Sequence, residues 1–176
     1  MINSALRRPL LFLDVDGPLI PFGATPQDLP DGYPTYPAGP GLREDAANPL
    51  LARADPALGA RLLALPCELV WATTWMEEAN EYVAPRIGLP PLPLVNWPEP
   101  SDADERVGLH WKTRALVERA AGRAFAWVDD EIGDVDRAWV ARHHSGPALL
   151  HRVDPRFGLG DTDFVGLNEW LCALAG

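Results

Sequence analysis

Leu10-Leu11-Phe12-Leu13 is a short unbroken apolar run that stops at Asp14-Val15-Asp16-Gly17, the pattern of a buried strand whose carboxyl end meets a turn. The pattern returns at Leu69-Val70-Trp71-Ala72 before Thr73-Thr74, and at Phe125-Ala126-Trp127-Val128 before Asp129-Asp130. Leu92–Val95, which contains Pro93, and Ala148-Leu149-Leu150 complete about five expected strands. Between them, apolar positions recur three or four residues apart, the spacing of a buried helix face. Leu58, Leu62 and Leu65 give a helix that runs from Pro56 and is stopped by Pro66. Met76, Ala79, Val83 and Ile87 give a second over 76–87, which Pro85 should kink or shorten. His110 to Ala121 is expected as a third, with Lys112 in its first turn. Val135, Ala138 and Trp139 belong to a fourth. Phe164, Leu167, Leu171 and Leu174 form the stripe of a last one, started by Asp161 or Thr162.

Strands alternating with helices predict the α/β class: a three-layer, Rossmann-like parallel sheet with helices on both faces. A length of 176 residues fits one domain over 1–176, and the chain carries no internal repeat. Two stretches read as loops. Residues 96–109 are polar and contain Pro98 and Pro100. Residues 18–49 are rich in Pro and Gly, and loops beyond ~12–15 residues in a compact domain are usually functional or disordered. This stretch is expected to be a flap or loop insertion at the mouth of any crevice that follows the first strand. It should then govern substrate choice more than stability, unless Tyr33, Tyr36 and Leu42 pack onto the sheet edge.

Composition narrows the function. At 47% apolar the chain can fill a core, and its net charge of −10 repels polyanions, which weighs against general nucleic-acid coating. Two cysteines, Cys67 and Cys172, cannot make a disulfide framework, so a reducing, cytoplasmic setting is expected. Arg7 and Arg8 precede the first apolar run, but Asp14 and Asp16 cut it short of a signal-peptide core of ~7–15 residues. No apolar stretch approaches the ~18 residues that span a bilayer, so a soluble protein with no membrane partner is expected.

In an open parallel sheet, ligands bind at the carboxyl ends of the strands. Asp14/Asp16, Thr73/Thr74 and Asp129/Asp130 end three expected strands, so they can converge on one crevice. Each is also a favoured turn or cap residue by itself. Four carboxylates together, however, are costly to ionise unless a cation or a phosphate-handling network compensates. Hard oxygen ligands of this kind favour Mg²⁺ over zinc. Of 15 basic residues, Lys112 is the only lysine, where a compact point charge differs in use from the planar fork of Arg.

Apolar run-Asp14-Val15-Asp16-Gly17, apolar run-Thr73, Lys112, and apolar run-Asp129-Asp130-x-x-x-Asp134, in that order, resemble the four motifs of the haloacid dehalogenase (HAD) superfamily over residues 10 to 140. Pro18 departs from the pattern, which usually has Thr or Val there, and so bears on the local turn. The resemblance implies a Mg²⁺-dependent phosphatase. Asp14 would be the nucleophile that forms an aspartyl phosphate. Asp16 would be the acid and base, with its backbone carbonyl toward the metal. Thr73, or alternatively Thr74, would bind the phosphoryl oxygens with Lys112. Asp14, Asp16 and Asp130 would hold the metal, with Asp129 and Asp134 supporting the shell. An Asp at the second position favours phosphoryl transfer over dehalogenation.

Substrate-selecting caps in that family follow the first motif or lie between the second and third. Residues 17–56 hold too much Pro and Gly for a folded cap, and 76–109 leave room for little beyond one helix and one strand. The resemblance therefore implies no large cap and an open crevice, suited to a phosphorylated small molecule or a nucleic-acid end. Thr73-Thr74-Trp75 followed by the Glu77–Tyr82 helix is also similar to HAD domains associated with bacterial RNA-repair proteins, which implies a polynucleotide-end phosphatase. That would need a local basic strip from Arg106, His110, Arg114, Arg119 and Arg123, and Trp75 or Trp111 to stack on a base. Such Trp residues more commonly pack in the core or at its rim. Two further readings share the residue types. A non-enzymatic phosphate- or partner-binding module on this fold would be marked by loss of the nucleophile or lysine. A phospho-accepting receiver domain has its lysine last, whereas here Asp129-Asp130 follow Lys112.

Overall fold

β1 (Leu10–Leu13), β2 (Glu68–Trp71), β3 (Phe125–Asp129) and β4 (Ala148–Arg152) form one parallel sheet in the order β2-β1-β3-β4. The structure, a computed structural model, describes residues 7–42 and 48–175. Side chains alternate across a strand, and here each alternate set is buried. Leu11, Leu13, Leu69, Trp71, Ala126 and Val128 join one apolar cluster; Leu10, Phe12, Val70, Phe125, Trp127 and Leu150 join a second. That is why the strands read as unbroken apolar runs. The first cluster is completed by α1 (Leu58–Leu63), the helical segment 79–87 and α6 (Asp161–Ala173). The second takes Ala115, Leu116 and Ala120 from α4 (Thr113–Ala120) and Val140 from α5 (Asp134–His143).

Among the described residues four strands form the sheet, not five. The expected strand over 92–95 is reduced to a single bridge between Trp71 and Leu94. Trp71 N–H donates to the Pro93 carbonyl and Val95 N–H to the Trp71 carbonyl, both at 2.9 Å. Pro90, Pro91 and Pro93 have no N–H with which to lengthen that ladder.

Several helix boundaries also move. The segment expected over 76–87 begins at Glu77, because Met76 takes a positive φ of 49°. After Glu77 and Glu78 it widens into a π turn, Ala79–Val83, before α2 (Ala84–Ile87). Ala84 N–H reaches the Ala79 carbonyl five residues back, and the wide turn absorbs the register that the missing Pro85 N–H would break. The stretch 96–109, expected as loop, contains α3 (Asp102–Arg106). Acidic residues in its first turn, Asp102, Asp104 and Glu105, suit a helix N-terminus, but it has no apolar period to announce it. α4 begins at Thr113, with Lys112 as its N-cap instead of in its first turn. α6 is capped by Gly160, whose N–H donates to Asp163 Oδ2 at 2.8 Å.

Of the long loop, residues 18–42 are described and 43–47 lie outside the described residues. Leu19 and Ile20 enter the core, so its exposed part starts at Pro21. Phe22 N–H donates to the Pro155 carbonyl (2.8 Å) and Leu159 N–H to the Pro18 carbonyl (2.9 Å), while Arg156 pairs with Asp28 at 2.8 Å. Tyr33 lies under the Arg53 guanidinium, 4.1 Å from the ring centre. Tyr36 N–H donates to the Ala52 carbonyl at 2.7 Å. Both tyrosines thus contact the 3-10 turn Pro49–Arg53. Cys67 and Cys172 are free; burial pushes the Cys67 thiol up to about 12, whereas Cys172 is exposed. Among the described residues, no helix is long and apolar enough to cross a membrane.

Candidate active site

The sheet register assembles the site. Leu13 pairs with Trp71 on one side and with Val128 on the other, so Asp14, Ala72 and Asp129 follow at one level on three neighbouring strands. Asp14 N–H donates to the Val128 carbonyl at 3.0 Å, and Ala72 N–H to the Leu13 carbonyl at 2.8 Å. Lys112 enters from the start of α4, 3% exposed. Its Nζ lies 2.8 Å from Asp14 Oδ2 and 2.7 Å from Asp129 Oδ2. Asp129 is fully committed: Oδ2 also accepts from Trp127 Nε1 (3.2 Å), and Oδ1 from Glu131 N–H (2.9 Å). It anchors the lysine. Asp14 Oδ1 accepts the Val15 N–H at 2.8 Å.

Asp14, Asp129 and Asp130 each present a carboxylate oxygen within 4.8 Å of the others. Three acids therefore share one ammonium. Burial pushes Asp14 up to about 7; Lys112 pulls against this and Asp129 adds to it. Burial, then the Asp129 charge, pushes Asp130 up to about 6. For Lys112, burial alone would lower the value, but Asp14 and Asp129 outweigh it and hold it above the usual lysine range, so the side chain stays an ammonium. This donor set fits a divalent cation. Its oxygens are hard, the negative charge exceeds the positive, and an added cation relieves the two acids whose ionisation is most opposed. With Asp129 committed, Asp14 and Asp130 are the side chains placed to hold it.

Gly17 makes room for Asp130. Its φ is +92°, and a Cβ there would stand 2.8 Å from Asp130 Cβ and Cγ, inside any tolerated contact. The turn beyond it closes through Gly17 N–H to the Ile20 carbonyl and through Leu19 and Ile20 N–H to the Val15 carbonyl, all at 3.0 Å. Position 18 is not asked for a donor, so Pro18 fits this turn.

Asp16 is half-buried, and its Oδ2 accepts the Trp75 Nε1–H at 2.9 Å, which leaves Oδ1 for a ligand. Thr73 is buried. Its Oγ1 accepts Trp75 N–H at 3.3 Å and its carbonyl accepts Trp97 Nε1–H at 3.0 Å, so its hydroxyl proton remains to be donated. Thr74 is exposed beside Asp16 in a cavity of about 450 Å³. Asp134 is not brought to the acid cluster: it is the first residue of α5, its side chain faces solvent and it pairs with Arg137 at 3.9 Å.

Three supports of the site lie outside the motif pattern. Trp75 orients Asp16, and Trp97 holds the Thr73 backbone. Asp136, 2% exposed, accepts from His110 N–H (2.8 Å) and Thr113 Oγ1 (2.7 Å) through Oδ1, and from Gly133 N–H (2.9 Å) through Oδ2. It ties the start of α5 to the start of α4. His110 Nδ1 in turn accepts Lys112 N–H at 3.1 Å. The one local signal for Asp136 is an acid three residues after a glycine at a helix start.

No family model, curated protein or solved structure matches this chain. Its residues and their geometry therefore carry the functional reading.

Without a divalent ion, an acid whose folded value exceeds its unfolded one contributes stability that is full below about pH 4 and lost as pH rises through the folded value. For Asp130 that loss runs from 3.8 to about 6. Asp130→Asn should therefore raise the unfolding midpoint in chelator at pH 8 by a few degrees, at ~2–4 °C per kcal/mol for a chain of this size. The same variant should weaken Mg²⁺ binding by ~10–100-fold or more in titration calorimetry. Equal Mg²⁺ affinity with and without this carboxylate would move the metal elsewhere.

Proposed function

We propose that the chain is a HAD-type, Mg²⁺-dependent phosphatase that hydrolyses a phosphomonoester through an aspartyl phosphate on Asp14. The observation that carries this reading is the buried Lys112 ammonium joining Asp14 to Asp129 beside a third carboxylate, Asp130, at the carboxyl edge of a parallel sheet. Such an arrangement sets the nucleophile next to positive charge that an incoming phosphate can share. The two apolar clusters on the sheet agree with a three-layer Rossmann-like arrangement, and the free cysteines accord with a cytoplasmic setting.

In this reading Asp14 bonds to phosphorus as the ester P–O bond breaks, and Asp16 gives its proton to the departing oxygen. Asp16, now a carboxylate, takes a proton from water. The water oxygen attacks phosphorus, the bond to Asp14 breaks, and inorganic phosphate leaves. Thr73 donates its hydroxyl proton to a phosphoryl oxygen, and Lys112 offsets the charge shared by nucleophile and phosphate. Bound Mg²⁺, held by Asp14, Asp130 and the Asp16 carbonyl, would supply further positive charge to the phosphoryl oxygens. Asp129 keeps Lys112 in place.

Asp16→Asn separates the two steps. With 4-nitrophenyl phosphate, whose leaving group needs no acid, rapid-quench measurement should show the phosphoenzyme still forming while steady turnover falls by ~10²–10⁴-fold. Equal loss of both steps would remove Asp16 from the acid and base role.

A further inference from the structure

The phosphatase reading places the leaving oxygen at Asp16, so the alcohol it belongs to must occupy the cavity that opens there. That cavity is about 450 Å³, within the ~300–1,000 Å³ range of small-molecule sites. Besides Asp16 it is lined by Asn48, Thr74, Trp75, Glu78 and Tyr82. Two carboxylates and two aromatic rings therefore meet in it, with no Lys, Arg or His among its described lining residues. On the far side of Thr74 a second cavity, of about 640 Å³, carries Glu99, Asp104 and Glu105 beside Trp97 and Trp111.

This lining selects the charge of the alcohol. An anionic leaving group would meet the Glu78 carboxylate with no cation among the described lining residues to offset the repulsion. A nucleic-acid end fares no better on the neighbouring surface, because three members of the candidate basic strip are already paired: His110 with Glu131, Arg114 with Asp104 and Arg123 with Glu68. A neutral polyol could hydrogen-bond to Asn48, Thr74 and Glu78 but would bring no positive charge to meet the Glu78 carboxylate. An ammonium group gains from the Glu78 carboxylate and from the aromatic rings, whose π systems attract cations. Resting on the phosphatase reading, we propose that the substrate is the phosphate ester of a small amino alcohol. Its ammonium lies with Glu78, Trp75 and Tyr82, and its ester oxygen lies at Asp16.

The test compares phosphocholine and phosphoethanolamine with 3,3-dimethylbutyl phosphate, the uncharged isostere of phosphocholine, and with glycerol phosphate and a 5′-phosphorylated oligonucleotide. Phosphocholine or phosphoethanolamine should show kcat/KM at least about tenfold above the isostere, and Glu78→Gln should collapse that ratio several-fold. Choline alone, followed by tryptophan fluorescence and calorimetry, should bind more tightly than 3,3-dimethylbutanol, again in a Glu78-dependent way. If 4-nitrophenyl phosphate is turned over while neither charged ester exceeds the isostere and choline binds no better than dimethylbutanol, the inference is overturned and the phosphatase reading stands. Preference for glycerol phosphate or the oligonucleotide overturns it equally. If choline binds through Glu78 but no ester is hydrolysed, the cation site stands and the phosphatase reading falls.

Discussion

If Asp14 is the nucleophile of a phosphatase, Asp14→Asn should abolish turnover of 4-nitrophenyl phosphate, at least ~10³-fold in kcat, while the unfolding midpoint stays within a few degrees of the wild type. The amide oxygen can still accept the Val15 N–H that Asp14 Oδ1 now receives. Lys112 keeps Asp129 as its counter-ion at 2.7 Å. What disappears is a carboxylate whose ionisation burial already opposes, with its value pushed up to about 7, so losing its bond to Lys112 is partly offset by losing its own desolvation. An amide nitrogen or oxygen cannot replace the carboxylate as nucleophile and be regenerated by water. Steady-state kinetics and calorimetry on one preparation check both halves. Full activity in the folded variant would remove Asp14 from the nucleophile role.

Lys112→Met should be the most destabilising single change in the site. It leaves Asp14 and Asp129, 8% and 0% exposed, facing one another without a cation. Removing one partner of a buried ion pair costs ~3–5 kcal/mol, which at ~2–4 °C per kcal/mol is a fall of about 6–20 °C in the midpoint. Calorimetry in chelator at pH 7.5 reads it. Adding Asp129→Asn should recover part of the loss, since it removes one of the stranded charges. Lys112→Arg should not restore the wild-type midpoint, because a planar fork does not fit where a point charge touches two carboxylates. A fall of under about 2 °C in Lys112→Met would show that the ammonium is not what holds these acids in the core.

Strand ends are the legible part of this sequence. Asp14, Thr73, Asp129 and Asp130 each end an apolar run, and in a parallel sheet such positions meet at one edge. Lys112 needs more than periodicity, since nothing local says that an N-cap lysine turns inward; its place comes from the order of the motifs. Asp134 shows the limit of that order, for a residue matched by spacing stands on the solvent side of α5. Trp75 and Asp136 are hidden for a different reason. Their roles are hydrogen bonds to Asp16, 59 positions away, and to His110, 26 positions away, and no local pattern encodes a partner at that range. α3 escapes a periodicity reading because it has charge but no apolar period, and a fifth strand is expected in excess when an apolar run is given more weight than its prolines.

Those prolines also bear on association. A strand edge with unpaired N–H and C=O groups is a template for another chain. On the β2 side, the segment from Pro90 to Val95 occupies the edge with one bridge, and its prolines present few donors to an incoming strand. Sheet growth from chain to chain is therefore disfavoured there. At the opposite edge, the Leu150 carbonyl of β4 is already taken by the Arg137 guanidinium. An incoming strand thus meets few donors on the proline-bearing β2 side and one carbonyl fewer on the β4 side.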